Sequence, residues 1–464
     1  GGIKWLGRSA ESLVPSETIE VDDDEFVIPA DRKIRKSATA PETATFEKDL
    51  STLAVGETRS GKTSAIKMLA AQLSYGSDTA VVAHGSVGEY TDYFGDTLGL
   101  QVLPIGKDHA EARWNLFREV RLDADRHEAE ERFQEIAATL IPKKQGDKEY
   151  FVQGAREVLV ALLLLLRDER DNPHHGDLHG LIRADPGDVS EMLADHGHNS
   201  AASKVDTDDG DCWGTLTGRL RPMFVGEFAK EGGFSFREYI QNPQGRVVVV
   251  ESPEVMRSTG AIYAAMLDEA MVRMIETSST PTYAILDEID TLEPCNVLSD
   301  MAARGLAMNS RMLVGVQTIA QLRNVYGTEQ ARGIVGNCPQ MIGLSPGTAD
   351  CVEMLQGAIG RSTESIETSS LSYGSGGLLD VSRTKSQQIQ EMTQIDESEM
   401  LNWGTGEGVI ISREHWWMGR LAHPDTAIPE LWETRGGLVD GSAATADESA
   451  WGDHDGRRRS EATQ

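Results

Sequence analysis

Short apolar runs bounded by turn residues alternate along this chain with longer stretches of helical periodicity. Leu53-Ala54-Val55 reads as a buried strand, and residues 64–73 carry the apolar spacing of an amphipathic helix. Residues 79–83 and 100–105 read as the second and third strands. Strand signals then vanish from Trp114 to Gly233. Residues 129–140 and 148–167 have helical length and spacing, and 212–228 predict a further helix. The stretch 171–211 is rich in Asp, Gly, His and Pro and is expected to be loop or loosely helical. The sheet resumes with the β-branched run 246–251, followed by a helix over 260–277 and a strand over 282–286 that ends in Asp287-Glu288. A helix over 298–308, a strand over 311–316 ending at Gln317, and strands within 336–344, 408–411 and 416–421 complete the pattern. Residues 361–388 are expected as a mobile polar excursion.

Strands alternating with helices predict an α/β fold with a mainly parallel twisted sheet flanked by helices. The helix-only block predicts an all-α insertion at 114–233, which splits the sheet domain into 46–113 and 234–435. Residues 1–45 read as a leader or linker with a strand or two, and 436–464 as a disordered acidic tail. The basic cluster Arg32 to Lys36 is read as a solvated loop.

The formal net charge is −30, from 74 acidic residues against 31 Arg and only 13 Lys. A Lys-poor acidic surface fits a protein kept soluble in high salt, and a halophilic archaeon is the expected source. The competing reading is a chain that repels nucleic acid and binds something basic. At molar salt the Debye length is about 3 Å, so net charge says little about partners there. Four cysteines without close spacing argue against a disulfide framework or a zinc site and for a reducing interior. The histidines between 174 and 198 are read as solvated rather than metal-binding. The apolar run 158–166 is nine residues, too short for a bilayer. The chain starts Gly-Gly and is read as a fragment, with a membrane anchor expected upstream.

The chemistry begins at Gly56-Glu57-Thr58-Arg59-Ser60-Gly61-Lys62-Thr63, which fits G-x-x-x-x-G-K-[ST] and is followed by Ser64. Strand, glycine loop and helix present backbone N–H groups and a positive helix end to phosphates. Lys62 is expected on the β- and γ-phosphates of ATP and Thr63 on Mg²⁺. The apolar strand ending in Asp287-Glu288 supplies a metal carboxylate, Asp287, and a base for the attacking water, Glu288. Gln317, at the tip of a later strand, is placed to sense the γ-phosphate or hold that water.

These residues resemble the coupling-protein ATPases of type IV secretion and conjugation, of TraG/TraD type, within the FtsK/HerA group of ring motors. The likeness rests on Thr58 to Lys62 with its Arg59, on Leu286-Asp287-Glu288-Ile289 through Gln317 to Gln321-Leu322 and Tyr326-Gly327, and on Gly336-Asn337-Cys338. Ala112 to Phe117 is similar to the family's Asn-Pro motif without its Pro, and Lys148-Glu149-Tyr150-Phe151 to the start of the insertion's first packed helix. His84-Gly85 stands where the family usually carries an Asp, with Glu89 downstream. The resemblance implies a RecA-like phosphate-loop NTPase and a homohexameric ring. It also implies an arginine supplied in trans, Arg304 in preference to Arg311, and DNA threaded through the pore. It further implies a relaxase-bearing substrate, contact with secretion-channel components, and a position at the cytoplasmic face of the membrane. A HerA/FtsK-like translocase and a nucleotide-gated recruitment adaptor are the alternatives; the long helical insertion argues against the first and the paired acids against the second.

Overall fold

The computed structural model describes residues 25–434 apart from 27–28, 41–43, 45, 122, 145, 207–210, 254–258, 277–280, 374–380 and 414, with backbone alone at 25, 32–34, 361–393 and 434. The strands are β1 (Glu25–Phe26), β2 (Ala30–Lys36), β3 (Phe46–Glu47), β4 (Thr52–Gly56), β5 (Ala80–Ser86), β6 (Gln101–Ile105) and β7 (Arg246–Ser252). They continue with β8 (Thr282–Leu286), β9 (Ser310–Val316), β10 (Gln340–Leu344), β11 (Arg361–Tyr373), β12 (Val381–Thr393), β13 (Glu407–Ser412) and β14 (His415–Leu421). Ten of them form one sheet in the order β2-β14-β13-β10-β4-β9-β8-β5-β7-β6. The seven from β10 to β6 are mutually parallel. The last three at the other edge are antiparallel.

The parallel strands are apolar without interruption because both faces are covered. Val247 to Val250 of β7 are all fully buried, and the pleat sends them alternately to two cores. One core holds Val248 and Val250 with Leu53 and Val55, and merges with the helical insertion. The other holds Val247, Val249 and Ala54 under the phosphate-loop helix Lys62–Ala70 and the C-terminal helix Pro424–Thr434.

Between β6 and β7 the described elements are helical, with one isolated bridge, Trp114 to Phe234, closing the neck of the insertion. Its axis is the helix Glu149–Glu169, whose apolar run from Val158 to Leu166 is buried within the domain. Among the described residues no helix is long and apolar enough to cross a membrane. Helix Arg126–Leu140 lies against helix Gly260–Glu276 of the sheet domain. Arg132 Nη2 donates to Glu269 Oε2 at 2.6 Å, and Thr139 Oγ1 to Asp268 Oδ2 at 2.8 Å, across that seam.

Three local expectations change. The stretch expected as loop or loosely helical holds three defined helices, His175–Leu181, Pro186–Asp195 and Asn199–Val205. The start of the expected strand at Gly336 is the end of helix Thr328–Gly336, and the strand begins at Gln340. The basic cluster at Arg32 is not a loop: it lies in β2, the sheet's edge strand, paired with β14. The polar excursion contains the antiparallel ribbon β11–β12. The tail at 436–464 lies outside the described residues, as does most of the leader.

Candidate nucleotide site

The site forms where the parallel strands end. β4 delivers Gly56 into the loop, and Gly61 turns the chain into the helix with φ of +101°, a conformation open to glycine at little cost. Gly61 gives that helix no side-chain cap, so the first-turn N–H groups, at Lys62, Thr63 and Ser64, face the hollow beside them. Ser60 Oγ is buried in the same loop without a hydrogen-bond partner. The hollow is about 690 Å³ and is lined by the loop, by Glu89 and Glu288, and by Gly406, Arg420 and His423 from the antiparallel edge. Gly406 N–H donates to Ser60 O at 2.8 Å, which fastens that edge to the loop.

Because β8 lies two strands from β4, its tip brings the two acids to the loop. Asp287 is fully buried, and its Oδ2 accepts from Thr63 Oγ1 at 2.6 Å. Lys62 Nζ stands 3.8 Å from Asp287 Oδ1. Tyr90 OH also donates to Oδ2, at 3.2 Å, and burial together with the Asp287 charge raises this phenol's pKa. Asp287 Oδ1 accepts the N–H of Glu288 at 2.9 Å. Glu288 sits in the left-handed region at φ +52°, a strained backbone of the kind found at functional sites. The strain turns its carboxylate to the hollow, where Gln317 Nε2 lies 3.4 Å from Oε1. The tip of β9 is held in turn by buried Asp290, whose Oδ2 accepts the N–H of Gln317 at 2.8 Å; burial raises its pKa.

Lys62, Thr63, Asp287, Glu288 and Gln317 therefore come together, with Glu57, Thr58, Arg59, Gly61 and Ser64 lining the same hollow. Arg304 does not join them: it is exposed at the end of helix Leu298–Arg304, ahead of β9, and Arg311 is the second residue of β9, so both lie at the opposite end of the strands. Arg311 is buried and bound to Asp49 at 3.1 Å.

Sequence reasoning missed Tyr90, Asp290, Gly315 and the Gly406–Arg420 edge. Gly315 had a legible signal, a glycine inside an apolar strand, which marks a close approach: a Cβ there would stand 2.1 Å from Asp287 Oδ1. His84, the departure from the expected acid, is buried. Its Nδ1 donates to Asp287 O at 2.9 Å and its Nε2 accepts from Ser252 Oγ at 3.1 Å, while burial holds its pKa down at about 4. It is a neutral brace behind Asp287. His175, expected as solvated, is also buried, in the helical domain.

The donor set fits a magnesium nucleotide: uncapped N–H groups and an ammonium for phosphate, and a hydroxyl–carboxylate pair for a hard cation. Loop, helix and strand-tip acids define a phosphate-loop nucleotide-binding protein. The chain belongs to the type IV secretion-system coupling protein DNA-binding domain family, whose sequence model matches residues 37–416. Among solved structures the fold matches the unbound bacterial conjugative coupling protein TrwBdeltaN70 with a TM-score of 0.61 at 17% identity, over 86% of this chain and 96% of that one. TrwB with ADP and Mg²⁺ matches with a TM-score of 0.58 at 17% identity, over 81% and 84% of the two chains. VirB4 of Thermoanaerobacter pseudethanolicus matches at 0.50 and 14%, over 82% and 90%. No curated protein sequence matches.

Proposed function

We propose that this protein is an ATP-hydrolysing motor that couples DNA to a type IV secretion channel during conjugation. The observation that carries it is Glu288, turned into the phosphate-loop hollow next to the Thr63–Asp287 pair and bound by Gln317 alone among the side-chain contacts described. A protein that only sensed nucleotide would need the loop and Asp287; a free carboxylate at this spot is the group that takes a proton from water.

Lys62 neutralises charge on the β- and γ-phosphates, and the N–H groups of residues 61–64 hold the oxygens. Thr63 and Asp287 would hold Mg²⁺, which supplies charge neutralisation across the phosphates. Glu288 accepts the water's proton, and Gln317 fixes the direction in which its carboxylate points. TrwB has been solved with ADP and Mg²⁺ and with a non-hydrolysable ATP analogue, which supports the same ligands here. The family's DNA-binding description supports DNA as the partner.

We further propose a homohexamer at the cytoplasmic face of the membrane, engaging a relaxase-bound substrate and the channel. Arg304, exposed and remote from its own Lys62, is free to enter a neighbour's site. The acidic, Lys-poor composition supports a halophilic host.

The test is binding and turnover measured together. Lys62→Ala loses both; Glu288→Gln keeps Mg²⁺-dependent binding of an ATP analogue and loses turnover by about 10²- to 10⁴-fold. Hydrolysis at the wild-type rate in Glu288→Gln refutes the assignment. Electron microscopy with analogue and DNA is expected to show six-fold rings with density in the pore; a monomer under those conditions rejects the ring.

A further inference from the structure

Lysine is scarce in this chain, 13 residues in 464, yet Lys143, Lys144 and Lys148 fall within six positions. All three are exposed. Tyr150 follows at 67% exposure, the highest of the exposed large apolar side chains described. We propose that this loop, at its residues 141–144 and 146–148, forms with Tyr150 a contact for single-stranded nucleic acid. The proposal rests on the motor reading above and gives it a place on the molecule.

The loop is built rather than loose. Arg156 Nε donates to Ile141 O at 2.9 Å, Arg219 Nη1 to Pro142 O at 3.1 Å, and Arg219 Nη2 to Asp147 Oδ2 at 2.6 Å. The Tyr150 ring packs edge-on against Phe151 with centroids 5.6 Å apart, and Lys148 Nζ stands 5.0 Å from the Phe151 ring. The acids paired with these groups are Asp147, bound to Arg219, Glu149, paired with Lys143, and Glu293, paired with Lys144. Exposed lysine–carboxylate pairs contribute little, so a phosphate displaces them readily. Five cations against three carboxylates leave a positive patch on a protein of net charge −30.

The sign of the patch excludes a basic partner. An acidic peptide shares the charge of nucleic acid but has no use for an open aromatic face beside the lysines. An unpaired base does, since stacking on aromatic rings next to a basic track is how single strands are held without sequence preference. A duplex presents no free base face.

The position gives the contact a consequence. Lys144 reaches Glu293, five residues beyond Glu288, and Asn296 Nδ2 donates to Thr139 Oγ1 at 2.8 Å from the same segment. A strand whose phosphate takes Lys144 from Glu293 therefore releases the segment that follows the proposed base, and hydrolysis responds to DNA through it.

The experiment is fluorescence anisotropy of labelled oligo-dT with the full chain across a salt series, beside basal and DNA-stimulated ATP turnover. The double variant K143Q/K148Q is expected to flatten the slope of log affinity against log salt by about 1.4, two phosphate contacts' worth on a single strand. Tyr150→Ala is expected to weaken binding roughly tenfold with the slope unchanged. Both keep basal turnover and the wild-type melting temperature, and both lose stimulation. Wild-type affinity and slope in both variants overturn the proposal alone, and so does loss of poly-Glu binding with DNA binding intact, which makes the loop a protein dock. Failure of the wild-type chain to bind DNA at all overturns the motor reading with it.

Discussion

Replacing Gly315 by alanine tests how tightly Asp287 is placed. The new methyl carbon would stand 2.1 Å from Asp287 Oδ1, 2.9 Å from Ile66 Cδ1 and 3.1 Å from Asp287 Cγ, where ordinary contact starts at 3.4 Å. Neither neighbour has room to retreat: Asp287 is 0% and Ile66 1% exposed. The carboxylate must move by roughly 1 Å, and it leaves Thr63 Oγ1, now at 2.6 Å, to do so. Overpacking of this kind costs about 1–3 kcal/mol of stability. A shift of that size in a reacting group costs about 10²-fold in rate. The assay is thermal melting with ATP hydrolysis over a Mg²⁺ series, with Gly333→Ala, which meets nothing within 4 Å, as the control. The reasoning predicts a melting point lowered by several degrees and turnover near 1% of wild type. Wild-type turnover in Gly315→Ala refutes it, because Asp287 then either moves freely or does not matter.

Other perturbations separate the site's supports. Tyr90→Phe removes a donor to a buried carboxylate, a bond worth about 1.5–3 kcal/mol, so analogue binding should require about 10- to 150-fold more Mg²⁺; an unchanged requirement in calorimetry removes Tyr90 from the site. His175 accepts the Leu116 N–H on Nε2 and donates from Nδ1 to Phe228 O, and burial pushes its pKa down to about 3. Its folded pKa lies below the unfolded value, so the unfolded chain binds the extra proton. The stability it contributes is complete above about pH 6.5 and falls by about 1.4 kcal/mol per unit as pH drops toward 3. Denaturant titrations of wild type and His175→Gln between pH 7 and 4.5 should converge as the pH drops; parallel curves contradict the burial argument. Tyr239→Phe strips the hydroxyl that accepts the Val81 N–H at 3.0 Å and donates to strand carbonyls, and should cost about 1–3 kcal/mol in urea unfolding.

What could be read in the sequence was what is local. The phosphate loop, its helix and the acids after β8 lie within single strand–turn–helix units, so spacing alone identified them. The three short helices after Asn172 were not legible, because each is too brief for periodicity to register. Their signals are caps: the His174–Asp177 capping box, and Asp185 ahead of Pro186 at the helix start. Their apolar anchors, Leu178, Val189 and Leu193, are too sparse to outweigh the surrounding Asp and Gly. Tyr90 meets Asp287, and Asp290 meets Gln317, only through the strand order, which puts β5 and β9 on either side of β8, and order is a long-range property. His84 looked like a missing acid, and its partners Asp287 and Ser252 lie more than 160 residues away.

The most direct measurement of the central claim is the steady-state ATP hydrolysis rate of the full chain as single-stranded DNA is added, wild type beside Glu288→Gln. The account predicts a wild-type rate that climbs with DNA to a plateau, and a Glu288→Gln rate at background at every DNA concentration, with the analogue still bound. A wild-type rate indifferent to DNA, or a Glu288→Gln rate that follows the wild type, contradicts it.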